Sequence, residues 1–418
     1  MMLPTTLRIL TMFFLMIVPS LLSAQNDWAR WRGPGGNGIA ESTKPPVQWS
    51  SENNVVWKVK VPGRGHASPI VVDGKIFLAT ADKDKQSQSV VCFDQASGKQ
   101  IWRSVANTGE LSGRIHRKNT HASSTIAIHG ENLFAVFCNH GKVRITALDF
   151  DGNEVWKKEV GMYEPKYPFG YGASPIVHGD NVIVTNENRA DSAVVAFDAK
   201  TGDQRWKINR DGVTSYSTPV VTTINGQQQL LLSGGNKVVS YDPANGTKLW
   251  SIDASWEVTC GTMVWDGNMV YASGGYPNGQ TLGIDAVSGK KIWENPAKVY
   301  EQSMITIDGY LYAHSDNGVI YCWRAKDGKE MWKQKFSSRR VPISASPVLA
   351  NGNLYFTAEN GETVVVRVNP EQYEEIGRNK LGDEAFASLA FCGNRIFARV
   401  GDNSSGSRQE WLYCLGKD

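Results

Sequence analysis

Side chains able to bind or react are concentrated in a few irregular stretches of this sequence. Residues 105–123 carry Arg114, His116, Arg117, Lys118 and His121, and residues 161–174 carry Tyr163, Lys166, Tyr167, Phe169 and Tyr171. Shorter segments add Arg64 with His66, Tyr216, Trp256 with Glu257, Tyr300 with Glu301, Arg339 with Arg340, and Phe386. Cations interleaved with flat rings suit an anionic or planar ligand, or an extended peptide. The ligand or partner candidates are therefore Arg64, His66, Arg114, His116, Arg117, His121, Tyr167, Tyr171, Tyr216, Trp256, Glu301, Arg339, Arg340 and Phe386.

Catalytic and metal patterns are weaker. His116, His121 and His140 supply three imidazoles, enough for a transition metal, but no carboxylate or cysteine pattern accompanies them. We expect a solvated basic loop and no metal. Asp82 and Asp84 offer two hard oxygens, short of the roughly six to eight that calcium takes. Gly33-x-Gly35-x-x-Gly38 matches a dinucleotide fingerprint on paper, yet that motif needs a strand before it and a helix after it. Pro34 and Gly36 suit neither, and no Gly-x-Ser-x-Gly nucleophile elbow occurs. No residue is assigned a catalytic role.

These loops must hang on something, and the rest of the chain supplies it by repetition. Asp198, Gly202 and Trp206 fall at i, i+4 and i+8, and the spacing returns at Asp94/Gly98/Trp102, Asp242/Gly246/Trp250 and Asp285/Gly289/Trp293. Asp149/Gly152/Trp156 and Arg324/Gly328/Trp332 are looser copies. The Asp side chain can accept a backbone N–H two residues on, and the Gly can take φ > 0, so each unit turns one strand into the next. Four short strands with hairpin signals fill each period, beginning with Ser-Pro phrases such as Ser68-Pro69, Ser174-Pro175 and Ser346-Pro347. Tryptophan recurs every 39 to 54 residues, a period that fits propeller blades. Seven blades are complete, the seventh without a Trp near 369–379. Three strands, at 386–391, 395–400 and 411–415, are left at the end. Val55–Val61, with Trp57 and no preceding Asp or Gly, is the missing fourth. We expect an all-β, eight-bladed propeller of four-stranded antiparallel blades over 55–418, closed by that N-terminal strand. Trp57, Trp102, Trp156, Trp206, Trp250, Trp293 and Trp332 are its docking residues.

Ahead of the ring, Arg8 and an apolar run from Leu10 to Val18 lead to a small-residue site at Ser23-Ala24. This reads as a signal peptide over 1–24, too short to span a membrane. No Cys follows Ala24, so no lipid anchor is expected, and residues 25–54 form a Gly- and Trp-containing lead-in. The expected location is periplasmic or extracellular. A net charge of +3, from 44 basic and 41 acidic residues, gives no nucleic-acid field. Cys92, Cys322 and Cys414 occupy equivalent strand positions in different repeats and read as small buried hydrophobes. A monomer is expected.

The phrase Ala-x-Asp-x-x-Thr/Ser-Gly-x-x-x-Trp resembles the docking repeat of the pyrroloquinoline-quinone-like eight-bladed propellers, over nearly all of 55–415. That family includes quinoprotein alcohol dehydrogenases and outer-membrane-assembly scaffold lipoproteins. Trp28-Ala29-Arg30-Trp31-Arg32-Gly33-Pro34 also resembles a lead-in of secreted bacterial members. The resemblance implies, for the dehydrogenases, adjacent cysteines, a calcium held by Glu, Asn and Asp, and a catalytic Asp. No two cysteines are adjacent here, and the chain is shorter. The expectation is a non-catalytic exported module, nearer the scaffold members, binding a protein or extracellular polymer without a cofactor. The alternative is a quinone or sugar-acid site in the central funnel, with the quinone and calcium serving an oxidoreductase.

Overall fold

The computed structural model describes residues 27–40, 44–111, 115–210, 212–404 and 406–417. The expected signal peptide and Arg114 lie outside them. Among the described residues there is no helix, and eight four-stranded sheets account for nearly all regular structure. Blade 1 runs Ile70–Val72, Lys75–Asp82, Ser87–Asp94 and Gln100–Thr108, each strand pairing with the next. Blades 2 to 7 repeat the plan, with innermost strands at Ala127–His129, Ile176–His178, Val220–Ile224, Val264–Asp266, Ile305–Ile307 and Val348–Ala350. Blade 8 is Ala390–Cys392, Arg395–Asp402 and Gln409–Leu415, completed by Val55–Val61. That strand pairs antiparallel with Gln409–Leu415, Val55 opposite Leu415 and Val61 opposite Glu410. The ring is closed as the sequence predicts, and no outer strand of blade 8 is left as an open edge toward its own sheet.

The middle strands are apolar on both faces because each blade is covered by two neighbours. Val90, Val91, Cys92 and Phe93 are all buried, whereas in Gln100–Thr108 at the rim the first six residues are exposed or half-buried. Cys322 and Cys414 are buried in their own blades. The repeated Asp, Gly and Trp have one joint purpose. Asp198 Oδ1 accepts the backbone N–H of Lys200 and Thr201 at 2.9 and 2.8 Å, and Gly202 sits at φ 73°. A Cβ there would lie 2.7 Å from the Trp156 ring, so the turn of one blade is the seat for the indole of the blade before. That indole also donates across the joint. Trp57, Trp102, Trp156, Trp206, Trp293 and Trp332 each give Nε1–H to a turn carbonyl of the next blade at 2.8 to 3.1 Å. Trp250 differs: it donates to Gln229 Oε1 at 2.9 Å, and Gln229 Nε2 passes the link on to Ala286 O.

The lead-in is integral to the ring. Trp28 pairs with Val71 in blade 1, Ala29 O accepts from Ile128 N in blade 2, and Arg32 donates to Met304 O in blade 6. Ile39–Ala40 then adds a parallel strand inside Val348–Ala350 of blade 7. Gly33, at φ 77°, lets the chain fold against Trp28, where a Cβ would stand 2.5 Å from the ring. Farther on, Trp49 is buried and stacks on Tyr355, ring centroids 6.2 Å apart. Tyr355 holds the place in blade 7 that Tyr312 and Tyr271 hold beside Trp332 and Trp293. Trp49 therefore stands in for the tryptophan that blade 7 lacks.

Candidate functional site

Where each innermost strand begins, its backbone N–H faces the adjacent blade, with no strand of its own sheet to receive it. A buried N–H without a partner is costly, and a short hydroxyl at the same place in the next blade removes the cost. Ser68 N donates to Thr125 Oγ1, Thr125 N to Ser174 Oγ and Ser174 N to Thr218 Oγ1, all within 3.0 Å. The series resumes from Thr262 through Ser303, Ser346 and Ser388, and Ser388 N returns to Ser68 Oγ. Between blades 4 and 5, Ser217 Oγ donates to Gly261 O at 2.8 Å, and Thr262 Oγ1 accepts Trp31 Nε1–H at 2.9 Å. The Ser-Pro phrases of the sequence are this girdle. Trp31, carried by the lead-in, closes the axis on the side of the Asp-Gly-Trp turns, leaving a blind funnel.

The funnel opens on the opposite face and holds a cavity of about 330 Å³. Its floor is Trp31 and the hydroxyls of Ser388, Ser68, Thr125, Ser174 and Thr218; its walls include Phe169, Tyr216, Tyr276, Tyr300 and Phe386. Residues 115–121 form a strap across the mouth. Lys118, approaching blade 2, reaches Glu301 ahead of blade 6 at 3.1 Å and Glu359 of blade 7 at 2.7 Å. Burial opposes the charge on Lys118, but the two carboxylates outweigh it and hold the ammonium above its ordinary range. Ser344 Oγ lies 2.5 Å from both Glu301 Oε2 and Glu359 Oε1. His66 is stacked on Phe386 with centroids 4.2 Å apart, and its Nδ1 meets Lys118 O at 3.1 Å. Burial pushes His66 below the usual imidazole range.

A second depression, about 930 Å³, runs down the side past blades 8, 1 and 2. Lys60, Arg64, Lys83, Arg117, His121 and Arg408 line it with Asp82, Asp84 and Glu410. Arg64 and Arg408 both bind Glu384, at 2.8 and 3.0 Å. Burial works against ionising Glu384, but His66, Arg408 and Arg64 outweigh it and hold the carboxyl well below its ordinary range.

The structure brings together much of what the sequence singled out. His66, His116, Tyr216, Glu301 and Phe386 line the funnel, and Arg64, His116, Arg117 and His121 line the side groove. Tyr167 stands at the rim, donating to Glu257 at 3.1 Å and stacked on Phe169. Two candidates belong to the interior. Trp256 is fully buried and donates to Ser233 Oγ, and Tyr171 is buried with its hydroxyl on Thr185 O. Neither lines the funnel or the side groove, because each ring is packed in the core with an internal hydrogen-bond partner. Arg339 and Arg340 are exposed and line neither cavity. Trp31, Ser344 and Glu359 were not legible as site residues. Trp31 sits far from any blade repeat, and Glu359 lies in a second-to-third-strand loop without a distinguishing pattern.

The fold and its blind funnel define an eight-bladed quinoprotein-like propeller. A family profile described as outer membrane protein assembly factor BamB matches residues 43–164 and 86–334, and the chain belongs to that family. The assembly factor BamB of Burkholderia pseudomallei is 25% identical over 337 residues, covering 76% of this chain and 80% of that protein. The quinohemoprotein alcohol dehydrogenase ADH IIB of Pseudomonas putida is 24% identical over 77% of this chain, which spans 50% of the enzyme's length. Among solved structures, BamB from Moraxella catarrhalis superposes with a TM-score of 0.64 at 15% identity, over 85% of this chain and 98% of that one. A europium-containing methanol dehydrogenase gives 0.69 at 12%, over 94% and 98%. At such identities the structures speak for the fold alone.

The donor set of the funnel does not fit the quinone and calcium that the family resemblance implies for dehydrogenases. Pyrroloquinoline quinone is a polycarboxylate, and among the described residues the one lysine or arginine lining the cavity, Lys118, is already committed to two carboxylates. Cys260 lines the wall without an adjacent cysteine, and burial pushes its thiol up. Among the described residues no group of three or more His, Cys, Asp or Glu could hold a metal ion.

Proposed function

We propose that the protein is an exported, non-catalytic scaffold that holds a partner protein against the open face of its ring. The observation that carries this reading is the asymmetry of the two faces. One is built from near-identical turns and shut by Trp31. The other presents long, non-repeating loops with Arg117, Tyr167 and Arg340 toward solvent and the basic side groove beside them. Loops that depart from a rigid repeat are where recognition usually resides. Kinship with proteins named as outer membrane assembly factors supports a protein partner, and the groove's cations fit an acidic segment of it. Among the described residues no helix is long and apolar enough to cross a membrane.

The test is affinity capture from the native envelope with the mature chain, against the combined variant Arg117→Glu, Tyr167→Ala, Arg340→Glu. The reading expects at least a tenfold drop in a specific partner at unchanged melting temperature. Equal recovery would contradict it.

A further inference from the structure

The funnel cavity has a charge arrangement that scaffolding does not explain. Glu301 and Glu359 both face Lys118, and among the described residues no other cation is bonded to either. Ser344 Oγ stands 2.5 Å from an oxygen of each. A hydroxyl owns one proton, so it can donate to one of these carboxylates only. Two carboxyl groups thus share one ammonium, that of Lys118. It sits beside Tyr300 at the wall of a cavity whose other sides are the rings of Phe169, Tyr216, Tyr276 and Phe386. The negative faces of aromatic rings attract a cation, most strongly where water is thin.

We propose that the funnel is a binding site for a small organic cation with a primary ammonium on an apolar or aryl body, and that Lys118 occupies the ammonium position in the strapped form. The ligand's N–H groups replace those of Lys118 on Glu301 and Glu359, and its body lies against the aromatic walls above Trp31. Displacing Lys118 breaks the ion pairs that tie the strap at residues 115–121 to the far side of the ring. Lys118 and the ligand thus compete for one site, and that competition is what an experiment can read. The scaffold function uses the rim and the side groove, so either reading can fail alone.

Phenethylammonium and its uncharged counterpart 2-phenylethanol serve as probes on the mature chain, by calorimetry. Lys118→Met removes the internal competitor and should tighten phenethylammonium at least tenfold; Glu301→Gln should weaken it at least tenfold, both in protein that still unfolds cooperatively. 2-Phenylethanol should bind weakly to all forms. Wild type gives a second readout that needs no variant: saturating phenethylammonium should speed acetylation of Lys118 by acetic anhydride, read by mass spectrometry, at least threefold over other lysines. Equal binding of the two probes, or a Lys118→Met variant that binds no better than wild type, would overturn the proposal. So would a Lys118 acetylation rate that ignores the ligand.

Discussion

Each docking tryptophan packs its ring on the next blade's turn glycine, or for Trp332 against Tyr373, and donates its indole N–H to that turn's carbonyl. Trp250 is the exception, and the reason is a single side chain. Gln229 takes the indole proton, takes a second from Ser240 Oγ at 2.8 Å, and hands its own N–H to Ala286 O. Gln229 is buried, so losing its amide leaves donors and an acceptor without water to turn to. Gln229→Leu should therefore destabilise by about 1–3 kcal/mol in urea unfolding. An unchanged midpoint would mean the relay contributes nothing. None of this is legible in the sequence, where Asp285, Gly289 and Trp293 look like every other copy and Gln229 is one of three consecutive glutamines. The repeat encodes the seat of the indole but not the route of its proton.

At the scale of elements, the Gly- and Trp-containing lead-in ahead of the ring is a structural part of two joints. Its first half crosses the channel floor, and its second half offers Trp49 to blade 7. Asn379 holds that segment in place: its Oδ1 accepts Trp49 N at 2.7 Å and its Nδ2 donates to Val47 O at 3.1 Å. Loss of a large buried ring costs about 3–5 kcal/mol. Trp49→Ala should thus cost about as much as Trp206→Ala, a true docking residue, when the two are compared by thermal unfolding. A loss under about 1 kcal/mol for Trp49 alone would show the lead-in to be dispensable to blade 7. The sequence signalled a missing Trp at 369–379 but could not connect it with a residue some 320 positions earlier, since that contact follows from ring closure. The strap is similar. Its basic composition was visible, while the partners that pin it come from the far side of the ring and appear only once the blades are placed.

For the whole molecule, period, turn chemistry and the orphan strand at Val55–Val61 suffice to derive eight blades and the closure, because every unit reports the same constraint. The site is less legible. A cavity draws one or two residues from each of many blades, and only those in irregular loops, such as His66, His116 and Glu301, stand out from the repeat. Residues that belong to the repeat and also face the axis, the hydroxyl girdle above all, look merely structural. The two faces of the ring are the feature on which the functional account rests, and they can be compared in place. A photo-crosslinking residue can be introduced at Arg117, exposed on the open face, or at Asn245, exposed on the turn face. Irradiated in its native cells, the protein with the probe at position 117 should yield a discrete crosslinked partner, and with the probe at 245 none. Adducts from 245 with none from 117 would contradict the account.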